Sequence, residues 1–183
     1  VWSQQQKIVG TGTNGRKNSD YFGWSVSLSG TTLAVGAKFQ YFDAAGASSL
    51  TQAGAVYVYT QSGSVWSLQQ KIVPTGTNAR LASNYFGYSV SLSGTTLAVG
   101  SNNSYDAAGA NLVANAGAVY VYTASGGVWT QQQKIVATGT NARMSGDYFS
   151  TTAPSGGGTN TISLSGTTLA VGAYMQGYDA AGA

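Results

Sequence analysis

The residues able to carry chemistry in this chain are few: five acidic residues and eight basic ones among 183, with no histidine and no cysteine. Without those two residue types there is no disulfide framework, no Cys/His zinc site and no Ser-His-Asp or Cys-His catalytic pair. Paired carboxylates for glycoside hydrolysis would have to come from different repeats, and the spacing of the aspartates does not indicate such a pair. These residues favour a protein that is not an enzyme and has no cofactor.

Most of the charged residues recur at equivalent positions of a sequence repeat. A catalytic site is normally unique in a chain, whereas structural contacts repeat, so we expect loop-fixing ion pairs and Asx turns. Only Lys17 and Lys38 lie outside the scheme. The equivalent sets are Lys7, Lys71 and Lys134; Arg16, Arg80 and Arg143; Asp43, Asp106 and Asp179; and Asp20, Asn84 and Asp147.

The charge balance excludes two classes of partner. A net charge of +3, with Arg16-Lys17 as the longest basic cluster, provides neither the basic stripe of a nucleic-acid binder nor a polybasic membrane patch. The longest apolar run is far short of the roughly 18–20 residues that span a bilayer. We therefore expect no nucleic acid as a partner and no membrane insertion.

A tandem repeat organises the whole sequence. VWSQQQKIV at Val1–Val9 returns, with small changes, at Val65–Val73 and Val128–Val136. The segment SLSGTTLAVG begins at Ser27, Ser91 and Ser163, so the spacing is 64 and then 72 residues. Phe86 and Phe149 of the same two units are only 63 residues apart, so the spacing of 72 indicates an insertion of nine residues between Phe149 and Ser163.

Each unit is predicted to form four short strands. Residues 21–29 alternate apolar and small residues, which is the period of a strand. Three further strands follow at 31–37, 53–60 and 65–73, with no helical period anywhere. A four-stranded sheet that is apolar on both faces must pack against copies of itself, and radial packing of such blades gives a β-propeller. The apolar side chains of the first strand are Phe22, Trp24, Val26 and Leu28.

The motifs resemble those of the FG-GAP repeat family, whose blades also occur in integrin α-subunits. The resemblance rests on the Phe-Gly pairs of Tyr21-Phe22-Gly23 and Tyr85-Phe86-Gly87 and on Leu33-Ala34-Val35-Gly36-Ala37 with its copies. It implies a propeller fold, an extracellular or cell-surface location, a bacterial type of repeat and a binding or adhesive role. Many blades of the family carry a calcium loop, but the corresponding turn, Ser29-Gly30-Thr31-Thr32, has no carboxylate, so we expect no metal site.

The whole of 1–183 is interpreted as one FG-GAP-like repeat region of about three repeats. Residues 1–9 would be the outer strand of a preceding blade, 21–73 and 85–136 complete blades, and 148–183 a partial blade with an insertion at 150–162. Three blades are fewer than the roughly four to eight of known propellers. We therefore expect an incomplete propeller unless the chain is extended or oligomerised, either as a piece of a longer repeat protein or as a subunit of a homo-oligomer or polymer.

Candidate contact residues lie in and beside the repeated DAAGA loops, because long loops on a rigid scaffold commonly carry binding. The other aromatic residues are expected to be structural, with Phe22, Phe86 and Phe149 in the core. Trp2, Trp66 and Trp129 are expected to pack against neighbouring blades. The predicted ligand-contact residues are Tyr41, Asp43, Tyr105, Asp106, Tyr178 and Asp179.

The function that these observations favour is a non-enzymatic extracellular or cell-surface repeat protein, an adhesive or ligand-binding scaffold for a protein or glycan on a surface. The alternative is a self-assembling structural subunit of an extracellular filament or sheath, whose partners are copies of itself. A third and weaker hypothesis is the non-catalytic domain of a larger secreted enzyme.

Overall fold

The computed structural model describes residues 1–106, 108–138, 144–151, 161–175 and 177. Within these ranges every regular element is a β-strand. None of the described residues forms a helix of the length and apolar character that crossing a membrane requires. The prediction of an all-β chain is confirmed.

The first blade is a four-stranded antiparallel sheet in which the strands follow chain order. Tight turns at Gly30 and Gly63 join neighbouring strands, and the φ angles of these glycines, 55° and 59°, are positive, which a residue without a Cβ adopts freely. The strands are β1 (Phe22–Ser29), β2 (Thr32–Ala37), β3 (Ala55–Ser62) and β4 (Val65–Ile72).

The second blade repeats this arrangement and adds a small hairpin in its long loop. Its six strands are β5 (Val90–Ser93), β6 (Thr96–Ser101), β7 (Ser104–Tyr105), β8 (Leu112–Val113), β9 (Ala118–Ser125) and β10 (Val128–Ile135). The sheet order is β5-β6-β9-β10, and β7 pairs with β8 alone. In the first blade the corresponding loop contains only a single bridge, between Phe42 and Ser49.

The third unit contributes one hairpin to the described structure, formed by β11 (Ile162–Ser165) and β12 (Thr168–Val171). Phe149 precedes it and forms a parallel bridge with Gly117 and an antiparallel bridge with Ala173. Most of the predicted insertion, residues 152–160, lies outside the described residues. Two four-stranded blades and one hairpin form sheets that do not close into a ring, so the prediction of an incomplete propeller is confirmed.

The outer strand predicted at residues 1–9 is not a strand in the structure, since residues 1–21 contain none. A strand needs a hydrogen-bonded neighbour, and the described residues place none beside this segment. Trp2 was expected to pack against a neighbouring blade, but its side chain is fully exposed. Gln6 nevertheless contacts the first blade, because its amide group accepts a hydrogen bond from Trp66 N (2.8 Å) and donates one to Trp66 O (3.0 Å).

The core lies between the blades. One cluster joins Val56, Val58 and Ile72 of the first blade to Phe86 and to side chains from all four strands of the second blade's sheet. A further cluster joins Ala98 and Val119 of the second blade to Ile162 of the third. Both faces of each sheet are apolar, so each blade buries its surface against the next one.

The first strand of the first blade is an exception to this burial. Its apolar side chains Val26 and Leu28 are 62% and 61% exposed, whereas the equivalent Val90 and Leu92 of the second blade are 1% and 6% exposed. The difference arises because the first blade covers Val90 and Leu92, and no described residue covers Val26 and Leu28. Phe22, predicted to lie in the core, is only partly buried.

Candidate functional site

The loops of both complete blades are segregated by length to opposite edges of the sheets. Tight turns lie at one edge, whereas the connections 38–54, 73–89 and 102–117 lie at the other. This follows from the antiparallel meander, because alternate connections must fall on the same side of a sheet. The edge that carries these connections, together with residues 10–21 before the first strand, is called here the long-loop edge.

The aspartates of the DAAGA loops hold their own loops in shape. Asp43 accepts hydrogen bonds from Ala47 N and Ser48 N, both at 2.9 Å, and Asp106 does the same with Ala110 N at 2.9 Å and Asn111 N at 3.2 Å. These main-chain donors favour the ionised form and lower the pKa of both carboxyls. The two residues are partly exposed, but both carboxylate oxygens of each are already hydrogen bonded within the loop.

The two tyrosines beside these aspartates are partly buried and anchored through their backbone. Tyr41 O accepts a hydrogen bond from the Arg80 guanidinium, which reaches it from the connection to the second blade. Tyr105 O accepts one from Lys134 Nζ at 2.7 Å. Each Tyr–Asp pair lies in its own loop, one per blade, so the four residues form two equivalent sites.

The third pair of predicted contact residues, Tyr178 and Asp179, lies outside the described residues. Ligand contact by all six residues stays a prediction. The described part of the chain contains no group of three or more carboxylates that could hold a metal ion.

The structure reveals a cluster that the sequence did not single out as a site. Lys38 is 4% exposed, and its Nζ lies 3.1 Å from the ring centroid of Trp24 and 4.9 Å from those of Phe39 and Tyr88. Burial lowers the pKa of Lys38 to about 8, while the surrounding π-faces attract its ammonium group. This group is called here the Lys38 cluster and comprises Lys38, Tyr21, Trp24, Phe39, Tyr85 and Tyr88.

The rings of the Lys38 cluster join the first blade to the second. Phe39 packs against Tyr21 at 4.7 Å and against Tyr85 at 5.3 Å between ring centroids. Tyr21 is 49% exposed, so one ring of the cluster faces solvent at the long-loop edge. A signal for this site was present in the sequence: Lys38 is one of two charges outside the repeat scheme, and the next unit carries Asn102 in its place.

The tyrosines at the start of each unit have an unusual backbone. Tyr21, Tyr85 and Tyr148 have φ angles of 53°, 52° and 52°, a region that costs a residue with a large side chain about 1–3 kcal/mol. Hydrogen bonds from the preceding blade hold two of them, since Tyr85 N donates to Gln52 O at 3.1 Å and Tyr148 N donates to Asn115 O at 2.9 Å. The strained geometry therefore repeats with the blades and is fixed by their stacking.

A buried polar network supports the long-loop edge of the first blade. The Gln40 side chain is fully buried and donates to Asp20 Oδ2 and to Tyr57 Oη, both at 3.0 Å. Tyr57 Oη in turn donates to Gly15 O at 2.8 Å, and Asp20 Oδ2 also accepts from Lys17 N at 2.6 Å. Burial raises the pKa of both Asp20 and Tyr57. The network ties residues 10–21 to the 38–54 loop.

Lysines at one repeat-equivalent position differ between the blades. Lys134 Nζ donates to Tyr105 O at 2.7 Å and Asp106 O at 3.1 Å, which fastens the long loop of the second blade to β10. Lys71 Nζ is buried and has no hydrogen-bond partner among the described residues. Burial lowers the pKa of Lys71 to about 8, against the opposing effect of the nearby Asp20 and Asp43 carboxylates.

Four-stranded antiparallel blades, stacked on one another with their long loops at one edge, define a repeat protein of the β-propeller type. The family model described as FG-GAP repeat matches residues 2–59 and 66–122, and the chain belongs to this family. No curated protein matches the chain significantly.

Proposed function

We propose that this chain is a non-enzymatic binding module, an extracellular or cell-surface scaffold that presents its long-loop edge to a protein or glycan on another surface. The observation that carries the proposal is the pair of equivalent loops at Asp43 and Asp106, each folded by main-chain hydrogen bonds to its own carboxylate. A loop that is already ordered loses little conformational freedom on binding. Repetition on consecutive blades also offers two equivalent contacts to one extended partner.

The side chains at the long-loop edge favour recognition of a partner through aromatic rings over recognition through charge. Only 7% of the residues are charged, whereas 11% are aromatic, and Tyr41, Tyr105 and Tyr21 all lie at the long-loop edge. Tyrosine combines an apolar ring with a hydroxyl, which serves both stacking on a sugar and packing against a protein. A surface-bound glycan or protein is therefore the partner class that we favour.

Binding to glycan arrays and to intact cells tests this function. The variant carries Tyr41→Ala, Tyr105→Ala and Tyr178→Ala, and the matched control carries Val65→Ala and Val128→Ala, two exposed side chains at the tight-turn edge. We expect the tyrosine variant to lose at least roughly tenfold in affinity, which is about 1.4 kcal/mol, and the control to bind like the wild type. Unchanged binding of the tyrosine variant would remove the proposed contact residues, and a wild type that binds neither surface would remove the function.

A second function, a self-assembling subunit of an extracellular filament or sheath, is favoured by a different observation. Val26 and Leu28 form an exposed apolar pair on the strand whose equivalents in the second blade are buried by a neighbouring blade. Negative-stain images of the purified chain separate the two functions. Ordered polymers support the structural subunit, whereas discrete particles support the binding module.

A further inference from the structure

Neighbouring blades are joined by hydrogen bonds from main-chain N–H groups to serine hydroxyls. At the first junction Ser27 Oγ accepts from Leu92 N at 2.9 Å, and Ser29 Oγ accepts from Gly94 N at 3.0 Å. At the second junction Ser91 Oγ accepts from Leu164 N and Ser93 Oγ accepts from Gly166 N, each at 2.9 Å. Two junctions of one chain thus use the same atoms at repeat-equivalent positions.

At each junction a serine hydroxyl of the preceding blade also donates a hydrogen bond to a main-chain carbonyl of the following one. Ser25 Oγ donates to Gly87 O at 2.8 Å, and Ser89 Oγ donates to Ser150 O at 2.7 Å. The close approach requires a glycine beside that hydroxyl, since a Cβ at Gly36 would overlap with Ser25 Oγ and Gly87 O. The junction is therefore specific in shape as well as in hydrogen bonding.

The described structure ends in two unpaired halves of this junction. The leading face is on the first blade and consists of Gly23, Val26, Leu28 and Gly30, the positions that the second blade uses to contact the first. Val26 and Leu28 are each more than 60% exposed there, and a Cβ at Gly23 or Gly30 would meet no atom of the described residues within 4 Å. This face has the donors and apolar side chains of a junction but no described blade before it.

The trailing face is on the third hairpin and consists of Thr161, Ser163, Ser165 and Gly172. Ser163 and Ser165, equivalent to Ser27 and Ser29, are exposed. Thr161 takes the place of Ser25 and Ser89, and its hydroxyl is buried without a hydrogen-bond partner in the described part of the chain. This face has the two exposed serine acceptors of a junction.

We infer that the trailing face of one copy binds the leading face of a second copy of this chain, head to tail, through the bonds that join the blades within the chain. Ser163 and Ser165 accept from Leu28 N and Gly30 N of the second copy. Val26 and Leu28 of the second copy become buried as Val90 and Leu92 are. This interface rests on the second proposed function and names the residues through which self-assembly occurs.

A second copy is the occupant that both faces specify together. The main-chain donors of the leading face complement the serine acceptors of the trailing face. The intact junctions at Ser27 and Ser91 show the geometry in which two such faces pack. The contact is heterologous, so it produces either a closed ring or an open polymer.

The test uses the 183-residue chain in sedimentation velocity and light scattering over a wide range of concentrations. Gly172→Ala adds a methyl group at a position where the nearest atom among the described residues is Thr161 O, 3.7 Å away, so it leaves the described hairpin intact but obstructs the trailing face. Val26→Ser disables the leading face. Val65→Ser, at a side chain that is equally exposed, is the matched control.

We expect the wild type and the Val65→Ser control to form dimers or polymers as concentration rises. The dissociation constant of self-association should be roughly tenfold higher or more for the Gly172→Ala and Val26→Ser variants than for the wild type. Thermal melts of the dilute monomers, unchanged among all four proteins, check that the variants fold.

Mixing the two interface variants tests the head-to-tail geometry itself. The Gly172→Ala copy keeps its leading face and the Val26→Ser copy keeps its trailing face, so the mixture should form a one-to-one complex that grows no further. A wild type that stays monomeric at every concentration would overturn both self-assembly and this interface. A wild type that assembles while both variants assemble equally well, or a mixture without the complex, would overturn the interface and leave self-assembly standing.

Discussion

Gly36 of the first blade lies directly against the main-chain carbonyl of Gly87 at the start of the second blade, with no room for a methyl group between them. The equivalent Gly100 lies against Ser150 O, where a Cβ would come within 2.7 Å. The third equivalent, Gly172, has no described blade against it. The spacing of the blades is therefore set, at the two junctions described, by a glycine in the second strand of the preceding blade.

Alanine substitutions at these three glycines should show how much the close approach of two blades contributes to the free energy of unfolding. Gly36→Ala and Gly100→Ala should each lower the free energy of unfolding by about 1–3 kcal/mol, because the methyl group forces the blades apart. Gly172→Ala should be neutral or raise it by about 0.5 kcal/mol, since alanine has less conformational freedom than glycine to lose on folding. Denaturant unfolding of the dilute monomer measures all three. Equal losses at the three positions would contradict the role of close approach between blades.

The phenylalanines of the Phe-Gly motif should differ in their contribution to stability. Phe86 is fully buried and packs against Tyr120 with 5.4 Å between ring centroids, so Phe86→Ala should cost about 3–5 kcal/mol. Phe22 is only partly buried, so Phe22→Ala should cost clearly less. Thermal and urea unfolding of the two variants provide the comparison, and a larger loss at Phe22 would show that the first blade is covered in solution by something other than its own chain.

The two equivalent lysines should respond in opposite directions to replacement by methionine. Lys134→Met removes two hydrogen bonds from an ammonium group and should lower stability by about 2 kcal/mol. Lys71→Met removes a buried ammonium group without a hydrogen-bond partner in the described structure and should raise stability at pH 7. Chemical unfolding at pH 7 measures both, and a destabilised Lys71→Met variant would contradict the geometry.

The increase in stability that Lys71→Met produces should depend on pH. The folded pKa of Lys71 is lowered from 10.5 to about 8, so between these two values the unfolded chain binds more protons than the folded one. The stability contributed at this site therefore rises with pH from about 8 to 10.5 and is lowest below pH 8. Asp20, Asp43 and Arg80 are the charged groups that act on it. The advantage of the variant should be largest at neutral pH and shrink towards pH 10.

The carboxylates of the DAAGA loops should titrate below the ordinary range of aspartate. Main-chain N–H donors lower the pKa of Asp43 and Asp106 from 3.8, so the stability that these bonds contribute is present above that value and lost as pH falls through the folded pKa. NMR chemical shifts of Ala47 N–H and Ala110 N–H should report midpoints below 3.8. Midpoints at or above 3.8 would indicate that the loops are open in solution.

The fold was predictable because its signals are local and repeated. Alternation in residues 21–29, the turn glycines Gly30 and Gly63, and the three copies of SLSGTTLAVG each indicate a strand or a turn without knowledge of distant contacts. The contacts between blades were not predictable in this way. Nothing in the local pattern distinguishes Val26 from Val90, although one is exposed and the other buried, because the difference depends only on which blade lies beside them.

The candidate site was predictable only in part for a related reason. The DAAGA loops stand out because they repeat, and the structure places Asp43 and Asp106 in them as loop-capping residues. The Lys38 cluster draws its rings from two blades and from three separate segments, so only the exceptional position of Lys38 in the repeat hinted at it. The contacts of the glutamines are likewise not local: Gln70 accepts a hydrogen bond from Trp129 N at 2.8 Å and donates one to Trp129 O at 3.0 Å.

Amide hydrogen exchange, followed by NMR in dilute solution, tests most directly whether blades stack through their serine hydroxyls. Leu92 N–H and Gly94 N–H, which are bonded to Ser27 and Ser29, should be protected, and Ser27→Ala should speed up exchange at Leu92. The equivalent Leu28 N–H and Gly30 N–H, with no described blade before them, should exchange fast when dilute and slow down as concentration rises. Rapid exchange at Leu92 and Gly94 in the wild type would contradict the stacked arrangement.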